Sequence, residues 1–310
     1  MDSIKRRTLL QTLAAGATVS ALGPWNTVLG SENEVLRETI PATGERISTI
    51  GMGTWRTFNV GGDPQLKAQR TQVLRTFLEQ GGEVVDSSPM YGSAQAVLGH
   101  AIDALDAKER IFSADKVWTR DGDATREQTG ASASDWGIAR FDLMQVHNLL
   151  SWEAHLETLK AMKEEGEVRY IGITTSHGRR HDDFERIMAN HDLDFVQLTY
   201  SLVDREAEER LLPLARDKGI AVLANRPFRG GGLIKGLKQH DLPLPDWAPE
   251  VDCANWAEFL LKFIVSHPAV TCAIPATTSV EHMRENMGAA YGELPDERQR
   301  QRMIEHMESL

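Results

Sequence analysis

Residues 51–56 read "GMGTWR". Two glycines follow a short apolar run, the place where a doubly wound α/β sheet carries its phosphate-binding turn. That turn needs a third glycine, as G-x-G-x-x-G, so that backbone, phosphate and helix can approach one another closely. Arg56 stands at the sixth place instead. The open sheet loses its signature, and the decision passes to the pattern on either side.

Outward from this stretch, short apolar segments alternate with helical patterns from about residue 45 onward. Strands are expected at 50–53, 83–86, 110–113, 142–147, 169–173, 195–200, 221–224 and 270–274. Most are almost continuously apolar, as parallel strands buried on both faces should be. Helices are expected at 65–80, 94–105, 152–165, 181–190, 207–218 and 256–266, and Ser279 opens another. Leu156, Leu159 and Met162 recur at three-residue spacing, a stripe that faces a sheet. Strand and helix alternating eight times predict one (β/α)8 TIM barrel over residues 37–310. Residues 119–135 fit a poor helix or a loose loop, and residues 229–251 fit a long loop.

A hydrophobic content of 41 % suffices for a large core, and the formal charge is −11. So acidic a chain argues against nucleic acid and anionic membrane surfaces as partners. Cys253 and Cys272 lie in no Cys/His cluster and read as small core residues; whether they bond is left open. The amino terminus differs from the rest. Asp2, Lys5, Arg6 and Arg7 precede an uncharged run from Thr8 to Leu22, too short to span a bilayer as a helix. Residues 1–30 therefore read as a signal peptide, and Arg6–Arg7 followed by "TLLQ" resembles a twin-arginine signal. The expected location is periplasmic or otherwise exported, with the twin-arginine machinery as a partner and no stable membrane insertion.

In a barrel of this kind chemistry sits at the carboxyl ends of the strands. Asp86 closes the second expected strand, Tyr91 lies in the loop after it, Lys116 follows the third and His147 closes the fourth. Adjacent strands are about 4.8 Å apart, so the four side chains can converge. A tyrosine hydroxyl titrates near about 10, and a neighbouring ammonium lowers that value. Lys116 can supply this charge, Asp86 can hold Lys116 in place, and His147 can orient a substrate oxygen toward Tyr91. Such a group protonates an oxygen as it gains negative charge, which is what carbonyl reduction requires.

"GMGTW", "VVDSSPMYGSAQAVLG", "DLMQVHN", "VRYIGIT" and "IPATTSVEHMRENM" together make the chain resemble the aldo-keto reductase family over residues 37–290. The family's Asp, Tyr, Lys and His tetrad falls on Asp86, Tyr91, Lys116 and His147. The resemblance implies a (β/α)8 barrel whose bottom is plugged by a hairpin, here near residues 38–48. It also implies hydride transfer between NADP(H) or NAD(H) and a small-molecule carbonyl or alcohol. Gly53, Thr54 and Trp55 fall where the family approaches the nicotinamide ribose, and Gln197 where it bonds the carboxamide. Thr174 and Thr175 replace the usual Ser-Asn. Asn225 and Arg226 replace a stacking aromatic and a serine, and Arg226 brings a charge toward the diphosphate. At the adenosine end, Thr277, Thr278, Glu285 and Asn286 remain as contacts. Ala276 and His282 stand where the 2′-phosphate clamp has lysine and arginine, so the preference for NADPH should be weak. Trp55, Trp118 and Trp152 are candidates for lining a substrate pocket, and His177 and His181 read as solvated loop residues. The rival reading is a nucleotide-binding sensor or regulatory barrel with little turnover. A barrel hydrolase would need a metal cluster or paired catalytic carboxylates, and neither is present in the sequence.

Overall fold

A computed structural model describes residues 34–310; the signal-peptide reading of residues 1–30 lies outside them. Two antiparallel strands come first, β1 (Arg37–Thr39) and β2 (Arg46–Ser48). Eight parallel strands follow: β3 (Met52–Gly53), β4 (Val84–Asp86), β5 (Phe112–Val117), β6 (Phe141–Val146), β7 (Val168–Thr174), β8 (Phe195–Thr199), β9 (Ala221–Asn225) and β10 (Cys272–Ala273). They pair in chain order from β3 to β10. A parallel bridge between Ile50 and Ala273 then joins the last strand to the first. Gly51 N and Gly53 N donate across that seam to Ala273 O and Pro275 O, each at 2.8 Å. A Cβ on Gly53 would lie 3.1 Å from Ile274 O, so the seam favours glycine there. This is the (β/α)8 barrel the alternation predicts.

The helices are α1 (Pro64–Glu79), α2 (Ala94–Ala104), α3 (Thr125–Trp136), α4 (Trp152–Glu164), α5 (His181–Asn190), α6 (Leu211–Lys218), α7 (Gly232–Gln239), α8 (Trp256–Val265), α9 (Val280–Gly288) and α10 (Glu297–Ser309). Asp63 caps α1, its Oδ1 accepting from Gln65 N and Leu66 N, with Pro64 at the first helical position. Leu156, Leu159 and Met162 are buried along α4, as their spacing predicts. Apolar side chains form two layers. One lies between strands and helices. The other fills the barrel from Ala114, Leu143, Phe195, Leu223 and Cys272 down to Ile40 and Ile47 of the hairpin. Those two isoleucines plug the barrel bottom, and Tyr170 Oη ties the hairpin turn through Glu45 Oε2 at 2.6 Å and Thr43 Oγ1 at 2.7 Å.

Several boundaries differ from the sequence reading. β5 runs to Val117, because polar Ser113, Asp115 and Lys116 hide a wholly buried strand. The weak pattern at 119–135 resolves into α3, anchored by the fully buried Trp136. The expected loop at 229–251 holds α7 and a one-turn helix at Ala248–Val251; glycines in "GLIKGLKQ" mask a short amphipathic repeat. The helix expected at 207–218 starts at Leu211, since Arg210 has a non-helical φ of −137°. α10 was not expected: its charged sequence buries only Arg300 and Met303. Both cysteines are free and buried, Cys272 inside the barrel and Cys253 in the outer layer. No helix among the described residues is long and apolar enough to cross a membrane.

Candidate active site

β4 ends on Asp86, and the chain then turns sharply. Ser88 Oγ accepts from Met90 N at 3.2 Å, capping a one-turn helix at Pro89–Tyr91 with proline at its first position. Gly92 leaves that turn at φ 64°, where a Cβ would lie 2.5 Å from Asn59 Oδ1. Tyr91 is thereby fixed over the barrel mouth. Lys116 belongs to β5 itself rather than to the loop beyond it, and its side chain points inward. Its Nζ donates to Asp86 Oδ1 at 2.7 Å, Asp86 Oδ2 at 2.6 Å and Ser87 O at 2.7 Å, so all three protons are used. His147 is the first residue beyond β6, in a turn whose Asn148 and Leu149 have φ of 52° and 56°. Its Nδ1 lies 2.8 Å from Ser88 Oγ.

The four residues converge. Lys116 Nζ is 5.2 Å from the Tyr91 ring centroid, and the His147 ring meets the Tyr91 ring edge-on at 5.8 Å. Burial opposes the charge on Lys116, but Asp86 and Tyr91 outweigh it and push its pKa up, so it stays an ammonium. Tyr91 departs from the sequence reading. Burial pushes its hydroxyl up to about 12, and Lys116, although it pulls downward, does not overcome that. Burial, with Lys116 adding to it, pushes His147 down to about 3. At neutral pH the site therefore holds a protonated phenol, a neutral imidazole and a charged lysine.

Asp86, Tyr91 and His147 line a cavity of about 260 Å³. Gly53, Thr54, Trp55, Thr174, Thr175, Gln197, Asn225 and Arg226 line the same cavity. Lys116 stands behind it. Some of these side chains are engaged in ways the sequence does not show. Thr54 Oγ1 turns away to Ser87 Oγ at 2.8 Å and Asp86 O at 3.0 Å. Thr174 Oγ1 accepts from Asn148 N at 2.9 Å, and Thr175 Oγ1 donates to Arg179 O at 2.5 Å. Gln197 Nε2 donates to Asp86 Oδ1 at 2.7 Å, which ties the β8 wall of the cavity to the Asp86–Lys116 pair. Asn225 accepts from Thr199 Oγ1 at 2.8 Å and donates to Thr175 O at 2.9 Å. Arg226 is half-buried with φ 56°; burial, Arg56, Arg179 and Arg229 lower its pKa against the pull of Asp204. Arg56 stacks on Trp55 at 4.3 Å and Arg226 approaches the same ring at 6.0 Å.

Thr277 and Thr278, just before α9, and His282, Glu285 and Asn286 along it lie beyond this cavity. Ser279 caps that helix by accepting from His282 N at 3.3 Å, and Thr277 Oγ1 accepts from Ser279 N at 3.1 Å. Asn286 and Thr277 are buried, whereas Thr278 and His282 are exposed. Among the aromatics, Trp55 lines the cavity, Trp118 is exposed and Trp152 covers the start of α4 against His191. His177 lines the cavity. His181 is not solvated: it is buried at the start of α5, its Nδ1 3.3 Å from Glu206 Oε1.

Three participants escaped the sequence. Ser88 bonds His147. Arg70 is buried and donates to Thr57 O at 2.5 Å and Thr278 O at 3.4 Å. Asp115, beside Lys116 but facing the helices, is pushed up to about 7 by burial and accepts from Gln95. Its position next to Lys116 was the one available signal.

Residues 49–303 match the model of the Aldo/keto reductase family. The NADH-specific methylglyoxal reductase of Escherichia coli is 25 % identical over 312 residues, covering 81 % of this chain and 92 % of that protein. The aldo-keto reductase YhdN of Bacillus subtilis is 30 % identical over 216 residues, covering 64 % and 62 % respectively. An aldo/keto reductase from Klebsiella pneumoniae, solved with NADP and acetate, has the same fold. Its TM-score is 0.73 at 23 % identity, over 88 % of this chain and 95 % of that one.

Proposed function

The chain belongs to the aldo/keto reductase family, and on that premise we propose that Tyr91, Lys116, Asp86 and His147 carry out proton transfer in carbonyl reduction. The protein is an oxidoreductase that moves a hydride between a nicotinamide cofactor and an aldehyde or ketone, or the reverse. One observation carries the assignment of roles. A charged Lys116, held by both Asp86 oxygens, stands behind a phenol that shares a cavity with His147.

The cavity wall fits a nicotinamide. Gln197 and Asn225 bring carboxamides, and Thr174 a hydroxyl, to the cavity that Tyr91 also lines. The reduced ring, when bound, supplies the hydride to the carbonyl carbon. His147 hydrogen-bonds the carbonyl oxygen and turns it toward Tyr91. As that oxygen gains charge, the Tyr91 O–H bond breaks and its proton completes the alcohol. The phenolate left behind is stabilised by the Lys116 ammonium, whose own charge Asp86 balances. Because Tyr91 is pushed up to about 12, its proton is in place throughout the neutral range.

Arg226, half-buried and lining the cavity, offers its guanidinium to the diphosphate. Farther out, Thr277, Thr278, His282, Glu285 and Asn286 would face the adenosine. Ala276 and His282 supply no fixed positive charge for a 2′-phosphate, which supports a weak preference between the two dinucleotides. Arg6–Arg7 ahead of an uncharged run supports twin-arginine export of the folded protein. Replacing both arginines by lysine should stop export of a reporter fused to residues 1–30, and continued export would count against this.

The decisive assay mixes purified protein and reduced nicotinamide with a panel of small aldehydes and follows the loss of dihydropyridine absorbance. Turnover is expected. Tight dinucleotide binding with no turnover on any aldehyde would favour a sensor instead.

A further inference from the structure

The hydroxyl of Ser88 takes no part in the proton transfer just described, yet it is wholly buried and touches the ring that does. Its bonding settles a question of chemistry. Met90 N donates to Ser88 Oγ at 3.2 Å, so an acceptor site on that oxygen is filled by a group that can only donate. The hydroxyl still has one proton to place. Its remaining partner among the described residues is His147 Nδ1 at 2.8 Å. The neighbouring hydroxyl, Ser87 Oγ, does not compete, since it bonds Thr54 Oγ1 at 2.8 Å and makes no bond to Ser88 Oγ.

If Nδ1 carried the ring proton and donated to Ser88, the Ser88 proton would be stranded in the protein interior, a costly arrangement. If Ser88 donates, Nδ1 accepts and every group is satisfied. A neutral imidazole with an unprotonated Nδ1 must carry its proton on Nε2. Burial, with Lys116 nearby, keeps the ring neutral.

We propose that Ser88 is a positioning residue that fixes His147 as its Nε2–H tautomer and so presents a neutral hydrogen-bond donor to the substrate oxygen. The claim rests on the carbonyl-reductase reading only for its consequence; the tautomer itself is independent of turnover. His147 then acts as an N–H donor alone, and the transferred proton comes from Tyr91.

The test is nitrogen-15 NMR of the histidine rings in the dinucleotide-bound protein, for wild type, Ser88→Ala and Ser88→Thr, paired with kinetics on one small aldehyde. Wild type and Ser88→Thr should show an unprotonated Nδ1 and a protonated Nε2 on His147. Ser88→Ala should shift toward a mixture, with kcat falling by about tenfold and dinucleotide affinity unchanged. A protonated Nδ1 in the wild type overturns the proposal, whether or not the variants fold. So does Ser88→Ala with an unaltered tautomer and an unaltered kcat. The expected tautomer in a protein that turns over no aldehyde would instead defeat the reductase reading and leave the Ser88 assignment standing.

Discussion

The ends of β4, β5 and β6 and the loops beyond β9 and β10, which the proposed mechanism joins in one reaction, are built on opposite plans. On the first side the tetrad side chains are held: Lys116 Nζ makes three bonds, Asp86 also accepts from Gln197, and His147 is held by Ser88. On the second side Arg226 makes no side-chain bond to the described residues, and His282 and Thr278 are exposed. Proton transfer needs groups held in place before the substrate arrives, whereas phosphate recognition tolerates side chains that settle onto the ligand. The difference teaches that one barrel mouth can hold the groups proposed to move a proton in fixed bonds and leave those proposed to grip a cofactor without them.

Substitutions on the two sides should therefore fail differently. Lys116→Met leaves the buried Asp86 without its counter-ion and should cost about 3–5 kcal/mol in chemical denaturation. The double variant Lys116→Met/Asp86→Asn should recover much of that loss. A single variant as stable as wild type would erase the contrast.

A smaller effect follows from pH. His147 is pushed from 6.5 down to about 3 when folded, so below pH 6.5 the unfolded chain binds the extra proton. Its effect on stability is absent above pH 6.5, grows as pH falls below 6.5, and levels off once pH passes the folded value of about 3. Between pH 7 and 5 the wild type should lose roughly 2 kcal/mol more than His147→Gln, read from urea midpoints. Parallel pH profiles for the two proteins would refute the assignment.

On the looser side, Arg226→Ala should leave stability nearly unchanged while weakening dinucleotide binding about tenfold, with a flatter salt dependence. Fluorescence titration at two salt concentrations measures both. An unchanged affinity would remove Arg226 from the diphosphate. The smallest expected effect is the discrimination between NADPH and NADH, which should lie within about tenfold. A hundredfold preference for NADPH would mean that a positive charge elsewhere than at positions 276 and 282 holds the 2′-phosphate.

The rigid side was also the more legible in the sequence. Asp86, Lys116 and His147 are charged or protic residues at or just beyond the ends of three consecutive strands, and their joint appearance there is hard to credit to accident. What stayed hidden depends on contacts distant along the chain. The Ser88–His147 bond spans 59 positions and the Gln197–Asp86 bond 111. The acidity of Tyr91 was misjudged for the same reason: Lys116 could be seen in the sequence, but the burial that outweighs it could not. Polar residues in β5 and glycines in α7 hid regular structure by breaking local patterns. The barrel survived these errors because its evidence was the repetition of strands, not the boundary of any one.

In the proposed mechanism the hydroxyl of Tyr91 is the proton source. The direct measurement loads Tyr91→Phe with 4-deuterated reduced nicotinamide, adds an aldehyde that wild type reduces, and follows deuterium into the alcohol by mass spectrometry. Removing only the hydroxyl should leave dinucleotide binding intact and lower the rate of deuterium transfer by at least about a hundredfold. Transfer at the wild-type rate would contradict the mechanism.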